Sequence, residues 1–427
     1  MQSKTFLRFL FILICAIFQG ETILSAQENL RLMFYNIYRY PYHSPEKREQ
    51  ILADINKEVK PDILMVCELV DAFGAEKILN NSFVHLEDSY KSAAFEFSVD
   101  ASYDPLHQMV YYNERKLHLL KQKAYPTGIR DINHYTFYLK TESLETRDTA
   151  FLEVFICHLK SSQGSENKWL RKRMVDTFFM ALESIPEDRA IVFSGDFNFY
   201  DAHSEPAYNK IVSPNNSIKM VDPLGWEFYD EWHNNEEYAS IHTQATRIST
   251  EGFGLGGAGG GLDDRFDFIF LSENLLSNPY MYFEEGSYEA IGNNGNCFKN
   301  RIDALECVGK YDQNLRSSLY YMSDHLPVAL NLKINDAWLE TVGFRVDDKD
   351  FAILPYGNRI KETLHINFLE NGKQQELYIF NTLGQRVIHK STSYQKEIIL
   401  DVNHLKEGLY FLKVHQDGKS YHRRLLK

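Results

Sequence analysis

A layered α/β domain followed by a small all-β domain is the fold class this chain predicts. Three observations carry the prediction. Apolar runs of strand length recur between residues 30 and 334, with two amphipathic helical stripes among them, a pattern of stacked sheet and helix layers. Beyond about residue 340 the runs become short and alternating, with turn residues between them. Charge divides in the same region: residues 27–340 carry 30 basic against 48 acidic side chains, whereas 372–427 carry 10 against 5, an asymmetry expected of separate modules.

The first 27 residues, MQSKTFLRFLFILICAIFQGETILSAQ, place Lys4 and Arg8 ahead of an apolar run from Phe9 to Phe18 and reach Ser25-Ala26. That is secretory signal grammar, with 1–26 as the removed segment. The run is shorter than the roughly 20 residues that span a bilayer. The large domain is then 27–340 and the small one 345–427.

Strands are expected at 30–38, 61–69, 107–113, 151–159, 190–197, 265–272 and 326–334, all rich in Val, Ile and Phe as sheet interiors are. Ser44-Pro45 supplies an N-cap and a first-turn proline, after which Ile51, Leu52, Ile55 and Val59 form a stripe that Pro61 ends. Trp169, Leu170, Met174, Phe178 and Leu182 form a second stripe closing near Pro186. Residues 201–262 end in GFGLGGAGGGLDD and read as a flexible loop. No Gly-Lys-Ser/Thr follows these glycines, which argues against a nucleotide P-loop. In the tail, ELYIFNTLGQRV, KEIILDV, GLYFLKV and SYHRRLLK read as strands of a small β-sandwich.

Cys67 and Cys157 lie within apolar runs and read as core residues. Cys297 and Cys307 flank a polar loop and offer a local disulfide in an oxidising exterior. None has zinc-site spacing. The acidic balance argues against electrostatic tethering to long nucleic acid, although metal ions and a few local cations let an acidic enzyme process a polyanion.

The polar residues at the ends of these apolar runs point to chemistry. Asn36 closes the first, Glu68 the second, His158 the fourth, and Asp196 with Asn198 the fifth; Asp267 opens the sixth and Asp324-His325 precedes the seventh. Singly, each is an ordinary solvated end, turn or satisfied core residue. Together they place acids, amides and imidazoles on six separate strands.

MFYNIY, PDILMVCEL, FICHLKS, SGDFNFY, RFDFIFLS and SDHLPV occur in the order seen in the endonuclease/exonuclease/phosphatase family, which the chain resembles over roughly 28 to 335. The resemblance implies a four-layer α/β sandwich, two packed sheets flanked by helices, with one cleft where sheet edges meet. It also implies residue roles. Glu68 would be the principal ligand of Mg²⁺ (or Mn²⁺ or Ca²⁺, one or two ions), with Asn36 beside it and Asp324 sharing it. Asp196 would orient or deprotonate the attacking water. Asn198 and His158 would hold phosphate oxygens. His325 would act as acid or charge stabiliser, with Asp324 fixing its tautomer and Asp267 supporting the network. Hard divalent cations prefer such oxygen donors, and histidine's ordinary pKa of about 6.5 keeps both proton states accessible.

Arg171, on the second helix where relatives place a phosphate-facing arginine, is a candidate substrate contact, with Arg173 as its alternative. His242 and Arg247 of HTQATR are two more. Asp263 and Asp264 either recruit a second metal or form a solvated turn. Trp226, Tyr229, Trp232 and Tyr238 either stack on bases, enter a lipid headgroup layer, or cover the protein's own core.

The tail resembles the C-terminal sorting domain of type IX (Por) secretion substrates, clearest from 377 onward. That implies export through the periplasm, the secretion machinery as a partner, and a secreted or cell-surface location. The expected function is a secreted metal-dependent phosphodiesterase, with a nuclease acting on extracellular nucleic acid as the leading reading. The alternatives are a sphingomyelinase- or phosphoinositide-type phosphohydrolase and, in another class, a catalytically idle binding or adhesion protein.

Overall fold

The computed structural model describes residues 28–99, 106–140, 150–225, 231–250, 256–334 and 351–427, apart from single positions 279, 356, 357, 359, 370 and 383. The expected signal segment, the junction at 340–345, Trp226 and Tyr229 lie outside the described residues.

The chain lays down β1 (Glu28–Tyr40), α1 (Arg48–Val59), β2 (Ile63–Leu69), α2 (Ala72–Asn81), β3 (Tyr90–Ser92) and β4 (His107–Asn113). A second sheet follows from β5 (Leu117–Tyr125), β6 (Ile132–Leu139), β7 (Phe151–His158), β8 (Ala190–Asp196), β9 (Met220–Val221) and β10 (Asp267–Ser272), with α3 (Ser165–Leu182) between β7 and β8 and α4 (Pro206–Ile211) after β8. The chain then returns through β11 (Met281–Phe283), β12 (Glu289–Ala290), α5 (Gln313–Met322) and β13 (Val328–Ile334). The first sheet has the order β11-β13-β1-β2-β4-β3, with β12 also on β13, and the second the order β5-β6-β7-β8-β10-β9.

One apolar layer joins the two sheets. Leu32, Phe34, Met65 and Leu330 of the first pack with Leu152, Val154, Val192 and Ile269 of the second. The outer face of the first sheet is covered by Leu52, Ile55, Ile78, Leu319 and Met322 of α1, α2 and α5. Met174, Phe178 and Tyr208 of α3 and α4 cover the second. Helix, sheet, sheet, helix is the expected four-layer sandwich.

Local details depart from expectation. α1 starts at Arg48 behind a left-handed Lys47 with no side-chain cap, so Ser44-Pro45 precedes the helix instead of opening it. On α3 the buried face is Arg171, Met174, Val175, Phe178, Ala181 and Leu182. Trp169 is exposed, with the Arg173 guanidinium over its ring. Arg171 takes the inward position expected of Trp169 because it has a buried carboxylate to meet, described below. Gly195 is required by close approach: a Cβ there would lie 2.5 Å from Cys157 Sγ, across the parallel β7–β8 pair.

The disulfide Cys297–Cys307 is present, and Cys67 and Cys157 are free and buried. The C-terminal domain pairs β14 (Ala352–Ile353), β15 (Thr363–Phe368) and β18 (Glu397–Asp401) in one sheet. Its other sheet has β16 (Gln374–Asn381), β17 (Arg386–Ser393), β19 (Leu409–Gln416) and β20 (Lys419–Leu426). Leu364, Ile366, Leu377, Ile379, Leu412 and Val414 fill the space between them.

Candidate active site

Register brings the polar strand ends together. In the second sheet His158 of β7 and Asp267 of β10 both pair with Asp196 of β8, one from each side. In the first sheet β1 and β2 run parallel, with Asn36 opposite Cys67 and so beside Glu68. Asp324 and His325 enter just ahead of β13, which pairs with β1. Glu68 sits at φ 59° where the β2–β4 register shifts, and Asn198 at φ 53°. Left-handed backbone at a non-glycine residue costs on the order of 1 kcal/mol and clusters at functional sites.

The side chains converge. Asn36 Nδ2 donates to Glu68 Oε1 at 3.1 Å and to Asp196 Oδ2 at 3.0 Å. His158 Nε2 lies 3.5 Å from Asp196 Oδ2 and 3.9 Å from Glu68 Oε1. His325 Nε2 is 3.7 Å from Asp196 Oδ2, and its Nδ1 meets Asp267 Oδ2 at 2.8 Å. The Asn198 backbone N–H donates to Asp196 Oδ1 at 3.1 Å. Glu68, His158, Asp196, Asn198 and His325 line a cavity of about 340 Å³, with the more exposed Tyr38, Arg39 and Arg130 at its mouth.

The electrostatics separate the groups by role. Burial, reinforced by the Asp267 and Glu68 carboxylates, pushes Asp196 up to about 7 even though His325 opposes it. Burial pulls His325 down, but Asp267 and Asp196 outweigh it and hold the imidazolium well above the usual histidine range. His158 is held well below that range by burial and by Arg130 and His325, so its ring is neutral. Burial and the nearby Asp324 raise Glu68.

Several expected roles move. Asp267, not Asp324, fixes His325: it reaches Nδ1, whereas Asp324 Oδ2 accepts from the Ala258 backbone at 2.7 Å. Asn36 presents its amide nitrogen to the carboxylates because its oxygen accepts from the Tyr38 N–H at 3.0 Å. In this arrangement the nitrogen, not the oxygen, faces Glu68 and Asp196.

The three expected substrate contacts are buried framework residues. Arg171 bonds Glu205 at 2.8 Å and the carbonyls of Lys160 and Ser162. His242 meets the Trp232 carbonyl at 2.9 Å. Arg247 donates to the Gly256 and Tyr320 carbonyls. All three satisfy backbone acceptors that the fold would otherwise leave bare. Arg171→Ala is thus expected to cost about 3 kcal/mol of stability, by stranding the Glu205 charge, with KM little changed; chemical denaturation alongside steady-state kinetics checks this. Among the aromatics, Trp232 is fully buried with its indole N–H on the Phe199 carbonyl, and Tyr238 packs against the same core.

The described part of the glycine segment, from residue 256 on, is packed into the cleft wall, a correction to the flexible-loop reading. Gly257 sits at φ +83°, and a Cβ there would lie 2.7 Å from Asp324 Cγ. Glycine is needed for both reasons. Gly257→Ala is expected to displace Asp324, lowering kcat/KM about tenfold or more, since a misplacement of about 1 Å suffices, and to lower the melting temperature as well because alanine is strained at that φ; steady-state kinetics and thermal denaturation check this. Sequence reasoning also passed over Arg130 and Gln244. Arg130 sits at the cavity mouth, and the Gln244 side-chain amide meets His325 Nε2. Neither carries a motif; only their place in the fold singles them out.

A four-layer α/β sandwich with a convergent acid–imidazole cleft, joined to a small β-sandwich, is the class these features define. Residues 356–427 match the family model described as a secretion system C-terminal sorting domain. The chain therefore carries an export signal of the kind found on secreted or surface-attached proteins, which implies an encounter with the secretion machinery.

No curated protein matches the chain. Solved structures similar to it include TDP2 of D. rerio complexed with single strand DNA product, at 15% identity and TM-score 0.45, covering 71% of this chain and 99% of that one. The human Nocturnin catalytic domain with bound sulfate follows at 14% and 0.44, covering 72% and 98%. An endonuclease/exonuclease/phosphatase from Bacteroides vulgatus matches at 15% and 0.45, covering 72% and 100%.

Proposed function

We propose that the cleft hydrolyses phosphate diesters with the help of a hard divalent cation, Mg²⁺ first among them, and that its substrate is extracellular nucleic acid. The observation that carries this reading is Asp196, a buried carboxylate flanked by Asn36, His158 and His325. Glu68, His158 and Asp196 bring one donor atom each within 4.8 Å of one another. The mutual repulsion of Glu68 and Asp324 is what a cation would relieve. Glu68 and Asp324 would hold the ion, which, when bound, supplies positive charge at the phosphate oxygens.

The chain's own groups do the rest. Asp196, fixed through Oδ1 by the Asn198 N–H and through Oδ2 by Asn36, orients a water and accepts its proton. Its raised proton affinity suits a base working near neutral pH. His325, held by Asp267, places a fixed positive charge where the phosphate gains negative charge. Asn198 and neutral His158 hold phosphate oxygens, and Arg39 and Arg130 at the mouth draw in a polyanion that the chain's overall charge would repel.

Purified protein is expected to release soluble fragments from DNA or RNA with Mg²⁺, and to stop with chelator. No turnover of DNA, RNA or sphingomyelin, with or without metal, would overturn the reading in favour of a binding protein.

A further inference from the structure

We propose that His233, held by Asp264 and flanked by Gln163 and Tyr200, is a second phosphate-recognising position beside the reacting one, so that the substrate is a nucleic acid strand and not a lipid bearing one phosphate. The inference rests on the phosphodiesterase reading above and names the substrate class within it.

Asp264 is buried, and its Oδ1 meets His233 Nδ1 at 2.6 Å. The ring opens to solvent, with 35% of the His233 side chain exposed against 12% for its acid. Its far nitrogen, Nε2, lies 3.3 Å from the side-chain amide nitrogen of exposed Gln163. A carboxylate at one ring nitrogen and a side-chain amide at the other is also the arrangement of His325, between Asp267 and Gln244. An anion arriving at Nε2 would be held by the ring on one side, with the Gln163 amide as a second donor.

The position adjoins segments of the chain that line the cleft. Gln163 follows cavity-lining Ser161 by two residues, and Tyr200 follows cavity-lining Asn198 by two. The Tyr200 ring meets His233 edge-on at 5.2 Å. Gln244 links the two imidazoles, since its backbone pairs with Asp264 and its side chain meets His325. The His233 ring is partly exposed and its Nε2 partner is an exposed amide, so an anion can reach that nitrogen by moving Gln163 aside. A strand of nucleic acid carries a phosphate on either side of the one being cut and a base for an aromatic neighbour such as Tyr200. Sphingomyelin carries neither.

The test compares wild type, His233→Gln and Gln163→Ala on a short oligothymidylate, on bis(4-nitrophenyl) phosphate and on sphingomyelin, all with Mg²⁺. His233→Gln should lower kcat/KM on the oligonucleotide about tenfold, through KM, the loss expected of one charge-assisted hydrogen bond. The single-phosphate diester should be cleaved as before. Gln163→Ala, on an exposed side chain, gives the same split in weaker form and keeps the test open should His233→Gln fail to fold. An equal fall on both substrates means a structural role, and no fall on either means no subsite; both overturn the proposal. Wild type that cleaves sphingomyelin but not the oligonucleotide also overturns it while leaving the phosphodiesterase reading intact. Wild type inert on all three overturns that reading itself.

Discussion

Asp196→Asn is expected to lower phosphodiester turnover by about 10²- to 10⁴-fold, the range that removal of a general base produces, while the metal-free protein becomes more stable above pH 7. Both effects come from one cause. Burial and neighbouring carboxylates raise Asp196 from 3.8 to about 7, so the folded state holds this proton longer than the unfolded chain does. Stability contributed by the group is therefore present at low pH and is lost as pH rises from about 4 to about 7. An uncharged amide of the same shape removes that loss. Denaturant unfolding at pH 5 and pH 8 without divalent cation should show wild type falling more than the variant. Activity runs the opposite way: the wild-type rate should climb as pH approaches 7 and Asp196 gives up its proton. A variant with near-normal turnover, or one less stable than wild type at pH 8, would remove Asp196 from the centre of the mechanism.

Asp267→Asn is expected to be nearly as damaging, by about a thousandfold in kcat, because an amide cannot hold the His325 imidazolium as a carboxylate does. Asp267 is fully buried, bonded to His325 through Oδ2, and its Oδ1 has no partner among the described residues. The loss should appear in kcat with KM little changed, and the His325 ring should titrate at lower pH by NMR. Asp324→Asn should differ in kind, raising the Mg²⁺ concentration required, because Asp324 faces the Ala258 backbone and the Glu68 carboxylate instead of the His325 ring. If Asp324→Asn moved the His325 titration and Asp267→Asn did not, the two roles would have to be exchanged.

The layered class and the identity of the strand-end residues were legible because side-chain alternation and apolar runs are local properties of the chain. The helices were less so. α2 and α5 carry good N-caps, Asp71 accepting from the Gly74 N–H and Asp312 from the Leu315 N–H, yet their apolar stripes are short. At Arg171 the resemblance misled: a phosphate-facing arginine is expected, but a buried carboxylate 34 positions away takes its guanidinium. The glycine segment also misled. Seven glycines between 252 and 261 look like freedom, but close packing against Asp324 and Tyr38 makes glycine obligatory at Gly257 and Gly256.

The sequence by itself determined that two modules follow one another, that the first stacks sheets and helices, and which acids, amides and imidazoles stand at strand ends. Tertiary structure alone decided which of them touch: that Asp267 holds His325 from 58 residues away, that Arg171, His242 and Arg247 turn inward, and that His233 stands beside the cleft. The physical reason is register. Alternation along one strand is set by neighbours two residues apart, whereas contact between strands depends on how segments far apart in the chain slide into alignment, and a shift of one residue reverses every side chain.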